Sequence, residues 1–255
     1  MKRLVFTTAI TCLLMITATF APVVAQNADA ETIIRNMEQH MRGNSSYSEM
    51  KMTIERPRFT REVELKSWSL DTDFSLVLVT APAREQGTVF LKRHNEIWNF
   101  VPSIDRTIKM PPSMMSQSWM GSDFNNDDLI RESSIIDDYN HENIRTETYE
   151  GHEVYVIELT PKPDAAVVWG MVRIWVTKED YLQLRVENFD QRNELANTMM
   201  LSEIKEMGGR RIPTRFELIP ADKPNQKTIM TYKAMEYDVD LSPDFFTQQN
   251  MRRVR

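Results

Sequence analysis

The sequence predicts a mainly β protein with few helices, its strands forming a large antiparallel sheet or an open barrel. Three observations point there. Apolar and polar residues alternate with a period of two over most of the chain. The alternating runs are joined by short, turn-forming breaks, as hairpins are. No helical segments are interleaved with them, which excludes a doubly wound fold.

The elements follow in order. In "AETIIRNMEQHMRG", Ile33, Ile34, Met37 and Met41 recur at helical spacing, Glu31 sits in the first turn and Gly43 supplies a stop. "EMKMTIE" then alternates, with Met50, Met52 and Ile54 on one face. "REVELKSWSL" and "FSLVLVTAP" read as further strands, and "GTVFLKRHNEIWNFVP" as a hairpin turning at His94, Asn95 and Glu96. "RTIKMPP" is an extended piece halted by Pro111 and Pro112. Later hairpins turn at Glu150-Gly151, near Lys178-Glu179-Asp180 and at Gly208-Gly209, and "QKTIMTYKAMEYDVDL" is expected to close the sheet. In the third, Val172, Ile174 and Val176 share a face; in the fourth, Ile212, Thr214, Phe216 and Leu218 do. Phe245 and Phe246 are expected to dock the tail. The meander holds about ten strands. One N-terminal helix and one or two short ones between Ser113 and Ser134 are little to fill so wide a sheet, so a hydrophobic cavity is expected.

Residues 1–25 have the layout of a secretory signal peptide: Lys2 and Arg3, an apolar stretch, then Val23-Val24-Ala25 before Gln26. Ala28-Asp29-Ala30 is a second candidate cleavage site, and a retained anchor is the competing reading. Residues 26–255, about 230 in all, fit one domain. Cys12 is the only cysteine, and the apolar run continues well past it, so a lipoprotein signal does not fit. The expected mature chain therefore has no disulfide and no thiol nucleophile. The formal net charge is −6, and there is no basic cluster to engage nucleic acid. Met is abundant at 17 and Gly scarce at 7. A Met-rich surface adapts to variable apolar partners, although a Met-rich core accounts for the count equally well.

The segment "SMMSQSWMGSDFNNDDL" (113–129) turns from apolar to acidic and amide-rich. Asp123, Asn125 and Asp127 open like a calcium loop, but the sixth position is Asp128 and not Gly, and the twelfth is Ser134 and not Glu. The acids read better as caps and first-turn charges of a helix start. His40, His94, His141 and His152 are scattered and expected on the surface. There is no G-x-S-x-G elbow, no phosphate-binding glycine loop and no dinucleotide fingerprint. Asp137 and Asp138, adjacent on a strand, face opposite ways. No catalytic set, metal site or cofactor is expected.

Three stretches, "LKRHNEIWNFVPSIDRTIKMPPSMMSQSWMGSDFNNDDL", "PKPDAAVVWGMVRIWV" and "GGRRIPTRFELIP", resemble the outer-membrane lipoprotein-sorting protein family of Gram-negative bacteria, related to the periplasmic carrier LolA and its acceptor LolB. The chain resembles a transporter-associated branch more than LolA itself. It implies a curved antiparallel half-barrel with helices over its concave face, and an apolar cavity for acyl chains. It implies a monomeric periplasmic shuttle that takes lipoprotein acyl chains or lipid from an inner-membrane transporter toward an outer-membrane acceptor. Met114, Met115, Trp119, Met120 and Phe124 are the candidates for lid and cavity rim, with Trp98 and Phe100 on the adjoining strand. Ordinary core packing is the alternative for all seven. The rival function is a periplasmic accessory subunit of an export or efflux transporter that carries nothing.

Overall fold

The computed structural model describes residues 29–131, 135–223 and 225–254. The expected signal segment lies outside them. Each alternating run becomes a strand, thirteen in one antiparallel sheet instead of about ten. In chain order they are β1 (Ser45–Arg56), β2 (Phe59–Leu70), β3 (Phe74–Ala81), β4 (Val89–Arg93), β5 (Glu96–Val101), β6 (Arg106–Lys109), β7 (Tyr139–Tyr149), β8 (His152–Pro161), β9 (Met171–Thr177), β10 (Gln183–Phe189), β11 (Leu195–Met207), β12 (Arg210–Pro220) and β13 (Lys227–Tyr237).

The spatial order is β6-β5-β4-β3-β2-β1-β13-β12-β11-β10-β9-β8-β7. The expected hairpins at 94–95, 150–151, 178–182 and 208–209 all form. β13, however, does not close an edge. It lies mid-sheet, where Met52 faces Met230 across β1. The two halves of the chain, β1–β6 and β7–β13, are meanders joined along that seam. The sheet stays open, with β6 and β7 as its edges. β6 is only four residues long, and β7 carries His141, Glu142, Arg145 and Glu147. Both features discourage edge-to-edge pairing.

This order forces the path of the chain between β6 and β7, described for residues 110–131 and 135–138. It leaves one edge of the sheet at β6 and enters the other at β7, so it crosses the concave face as a strap. Helix α1 (Ala30–Arg42) covers the same face nearer the β7 edge. Its Ile33, Ile34 and Met37 are fully buried, each contributing about 1.5–3 kcal/mol. They pack on Tyr139, Ile157, Leu159, Val172, Ile174 and Val176. Asp29 caps the helix by accepting from the Thr32 N–H at 3.3 Å. Arg210 Nη1 donates to the Gln39 and His40 carbonyls at 2.8 and 3.1 Å, satisfying groups that the helix end would leave open. His40 bonds the Arg211 carbonyl at 2.7 Å and His141 that of Ile135 at 2.6 Å. Both imidazoles stay partly exposed, as expected, and also act as structural ties.

The convex face has its own cover. Phe246 and Met251 are fully buried there, with Val254, against Leu76, Leu91, Trp98 and Phe100. Short helix α2 (Gln248–Met251) belongs to this tail. Toward β7 the convex face packs Trp175 with Leu182 and Leu184, and the Arg185 guanidinium lies 5.1 Å from the Trp175 ring.

Candidate ligand-binding cavity

The strap enters the concave face through its own apolar residues. Met110, Met115, Trp119 and Phe124 are buried among Met52, Ile54, Val63, Leu65, Val77 and Phe90, while Met114, Met120 and Leu129 pack at the margin. The Trp119 ring sits 5.3 Å from that of Phe90. Its indole N–H finds no acceptor among the described residues. Five of the seven candidate residues are thereby brought together.

Trp98 and Phe100 are not with them. Along β5 alternate residues face opposite ways. Ile97 points to the strap cluster, and Trp98 and Phe100 therefore lie on the convex side beneath the C-terminal tail. Lys109 lies 5.8 Å from the Trp98 ring and Arg252 4.9 Å from that of Phe100.

The strap folds back on itself as a small hairpin. Trp119 N donates to the Phe124 carbonyl at 2.8 Å, and Met120 and Gly121 take positive φ of 50° and 77°. Gly suits that conformation, whereas Met pays a steric penalty for it. Gly121 is therefore a tight turn.

The acidic part of the strap forms two anchors. The Asp123 carboxylate accepts from Arg56 Nη1 at 2.9 Å and Thr228 Oγ1 at 2.7 Å. The Arg56 and Asp123 side chains are only 13% and 7% exposed, so their pairing is little screened. Arg56 Nη2 also donates to the Gly121 carbonyl at 3.0 Å, and Arg61 Nη1 to that of Met120 at 2.7 Å. The second anchor is a reciprocal cap. The Asp128 N–H donates to Asn125 Oδ1 at 2.8 Å, and the Asn125 N–H to Asp128 Oδ2 at 2.9 Å. The helix start expected here is a single π-helical turn, Asp127–Arg131. Asp128 Oδ1 also accepts from Trp169 Nε1 at 3.0 Å, tying the strap to the loop before β9. Burial pushes the Asp128 carboxyl up to about 6, although the Asn125 and Trp169 donors oppose the shift. The alternating acids and amides of the calcium-like run thus bond to the protein itself. Among the described residues no group of three His, Cys, Asp or Glu is placed to hold a metal ion.

Between strap and helix the two covers leave a cavity of about 340 Å³. Met199 and Phe216 touch both cover clusters and form its floor. Trp119, Phe124 and Asp128 of the strap line it, with Met50, Leu65, Trp169, Ile174 and Met230. One end is lined by Ser46, Ser48, Ser67, Ser69 and Ser75. Sequence reading passed over these serines. Their signal was present: "SSYSEM" and "KSWSL" place Ser at alternate positions of strands whose other inward residues are aliphatic.

An open curved antiparallel sheet with its concave face roofed over a cavity is a LolA-like half-barrel fold. The structure aligns with a DUF1329 family protein from Desulfovibrio piger at a TM-score of 0.78 and 23% identity, over 87% of this chain and 97% of that one. It aligns with a protein from Vibrio parahaemolyticus, described as an outer membrane lipoprotein-sorting domain, at 0.78 and 21%, over 88% and 98%. A LolA superfamily protein from Nitrosomonas europaea aligns at 0.75 and 23%, over 86% and 98%. A family model described as "Uncharacterized protein" matches residues 71–253, and the chain belongs to that family. No curated protein matches it in sequence.

Proposed function

We propose that this chain is a periplasmic carrier that shields acyl chains of a lipoprotein or lipid in its cavity during transport toward the outer membrane. The observation that carries this reading is the apolar-floored space of about 340 Å³ between two separate covers on the concave face. Leaving an acyl chain in water costs about 0.8 kcal/mol per methylene, so transfer between membranes needs a sheltered site. In this reading residues 1–25 direct export and are removed. Residues 26–255 then act as one monomeric half-barrel domain that meets an inner-membrane transporter and an outer-membrane acceptor. Met114, Met115, Trp119, Met120 and Phe124 serve as lid and rim, and no covalent chemistry is involved. Trp98 and Phe100, on the convex side, take no part.

The positions of the tryptophans make the reading testable. Trp119 and Trp169 line the cavity, whereas Trp68 and Trp98 pack on the tail side and Trp175 in the far convex cluster. A bromine-labelled fatty acid should quench intrinsic fluorescence. The quenching should fall in Trp119→Phe and Trp169→Phe variants and persist in Trp98→Phe. Absence of quenching, together with no acyl lipid in solvent extracts of the purified protein, would favour the accessory-subunit reading.

A further inference from the structure

The cavity has a polar end that a purely greasy cargo would not require. Register sets its serines side by side, with Ser46 opposite Ser69, Ser48 opposite Ser67 and Ser69 opposite Ser75. Farther along the same face the inward positions are Met50, Met52, Val63, Leu65, Val77 and Val79. The change from aliphatic to hydroxyl side chains falls between Met50 and Ser48 on β1 and between Leu65 and Ser67 on β2, and one pair further along on β3, where Val77 faces Ser67 and Ser75 faces Ser69. Aliphatic residues at these positions would fill the space that the short serine side chains leave open.

The hydroxyls are not all satisfied by the protein. Ser46 and Ser69 bond each other at 2.7 Å. Ser48 and Ser75 are each only 6% exposed, yet neither Oγ has a hydrogen-bond partner among the described residues. Neither oxygen is among the buried polar atoms sealed from open space, and both residues line the cavity, so both hydroxyls face into it. A hydroxyl so placed can donate one hydrogen bond and accept two, and a buried polar group left without partners is disfavoured.

Charge narrows the ligand further. Glu38, Asp127 and Asp128 line the cavity against one cation, Arg42. Lys92, buried, stands opposite Ser75 on β4, so three acids face two cations, and the excess negative charge opposes a ligand carboxylate or a phosphate. The volume lies near the lower end of small-molecule sites, which run to about 1,000 Å³, and suits one chain better than several. We infer that the cavity takes a single-chain amphiphile whose neutral, hydroxyl- or ester-bearing head is held by Ser48 and Ser75. This rests on the carrier reading and specifies its cargo.

The test uses the full mature chain and three soluble twelve-carbon probes: monododecanoylglycerol, dodecanoate at pH 7.5, and dodecyltrimethylammonium, whose head makes no hydrogen bonds. Affinities are read by displacement of a fluorescent fatty acid. Monododecanoylglycerol should bind one to one and more tightly than dodecanoate. A Ser48→Ala, Ser75→Ala variant with unchanged circular dichroism and thermal midpoint should lose about tenfold in affinity for monododecanoylglycerol, while dodecyltrimethylammonium binds as before. Equal losses for both probes, no loss for either, or tighter binding of dodecanoate would overturn the head-group assignment and leave the carrier reading standing. Failure of all three probes to bind the wild-type chain would sink the carrier reading itself. If the double variant misfolds, the single Ser48→Ala and Ser75→Ala variants give the same readout: a loss confined to monododecanoylglycerol supports the assignment, and no loss or an equal loss for dodecyltrimethylammonium opposes it.

Discussion

Removing the Asp123 carboxylate would leave the Arg56 guanidinium in a site from which water is largely excluded. Asp123→Ala is expected to cost about 3–5 kcal/mol in denaturant unfolding, as loss of one partner of a buried pair does. A cost below about 1 kcal/mol, the range of exposed pairs, would show that the anchor matters little. Asp128 acts with the opposite sign. Its carboxyl moves from 3.8 up to about 6 on folding, so the folded chain holds the proton more tightly than the unfolded one. Its contribution to stability is then fully present below about pH 4 and lost as pH rises through about 6. The stability of wild type relative to Asp128→Asn should fall across that window and level off above it, in urea titrations at successive pH values. A difference independent of pH between 4 and 7 would contradict the assignment. At this scale the sequence was half legible. Asp123 and Asp128 were readable as caps or first-turn acids and not as metal ligands, because an incomplete ligand pattern is visible in one dimension. That Asp123 pairs with Arg56 and Thr228 is a long-range fact without a local signal. In sequence Trp98 stands beside Trp119 as a cavity candidate, with ordinary core as the favoured alternative, and the parity of β5 places it on the other face.

Hairpins were the most legible elements, since register and turn are fixed by neighbours in sequence. The tail was legible as a docking segment from Phe245 and Phe246, but its destination was not. Phe246 lies fully buried with Met251 over the convex face. Phe246→Ala should cost about 3–5 kcal/mol, measured by chemical denaturation, and should leave bromine quenching at the cavity unchanged in the folded protein. Loss of quenching without loss of stability would mean that the two faces are coupled in a way their separate packing does not suggest. Helix α1 was readable because its apolar stripe and Gly43 are local, whereas its Asp29 cap was not read. The short turn at Asp127–Arg131 was readable only as a helix start, because its length is set by the crossing and not by propensity.

The order of strands was the least legible property of the whole molecule. A meander read along the chain suggests that the last strand closes an edge, yet β13 pairs with β1 mid-sheet. Pairing between first and last strands leaves no trace in alternation patterns, and with it the strap's route was hidden. The cavity was anticipated from a shortage of helix to cover the sheet, but its serine end needed the registers of β1, β2 and β3. Because the cavity owes its space to those small residues, Ser67→Phe should close it. The expected result is a thermal midpoint equal to or above that of wild type, with quenching by a bromine-labelled chain abolished. A large drop in midpoint would indicate overpacking, and retained quenching would place the acyl site elsewhere.

The crossing from β6 to β7 also has a mechanical meaning. Sheet and strap are built like a bow and its string, with the string tied at the two tips, β6 and β7, and pinned near its middle by Asp123. The bend of the bow and the room beneath the string are therefore one variable. In the carrier reading a bulkier cargo is admitted by slackening the string at its anchors or by flattening the bow, and the β-ladder hydrogen bonds along the whole sheet resist the second more than the Asp123 and Asp128 anchors resist the first.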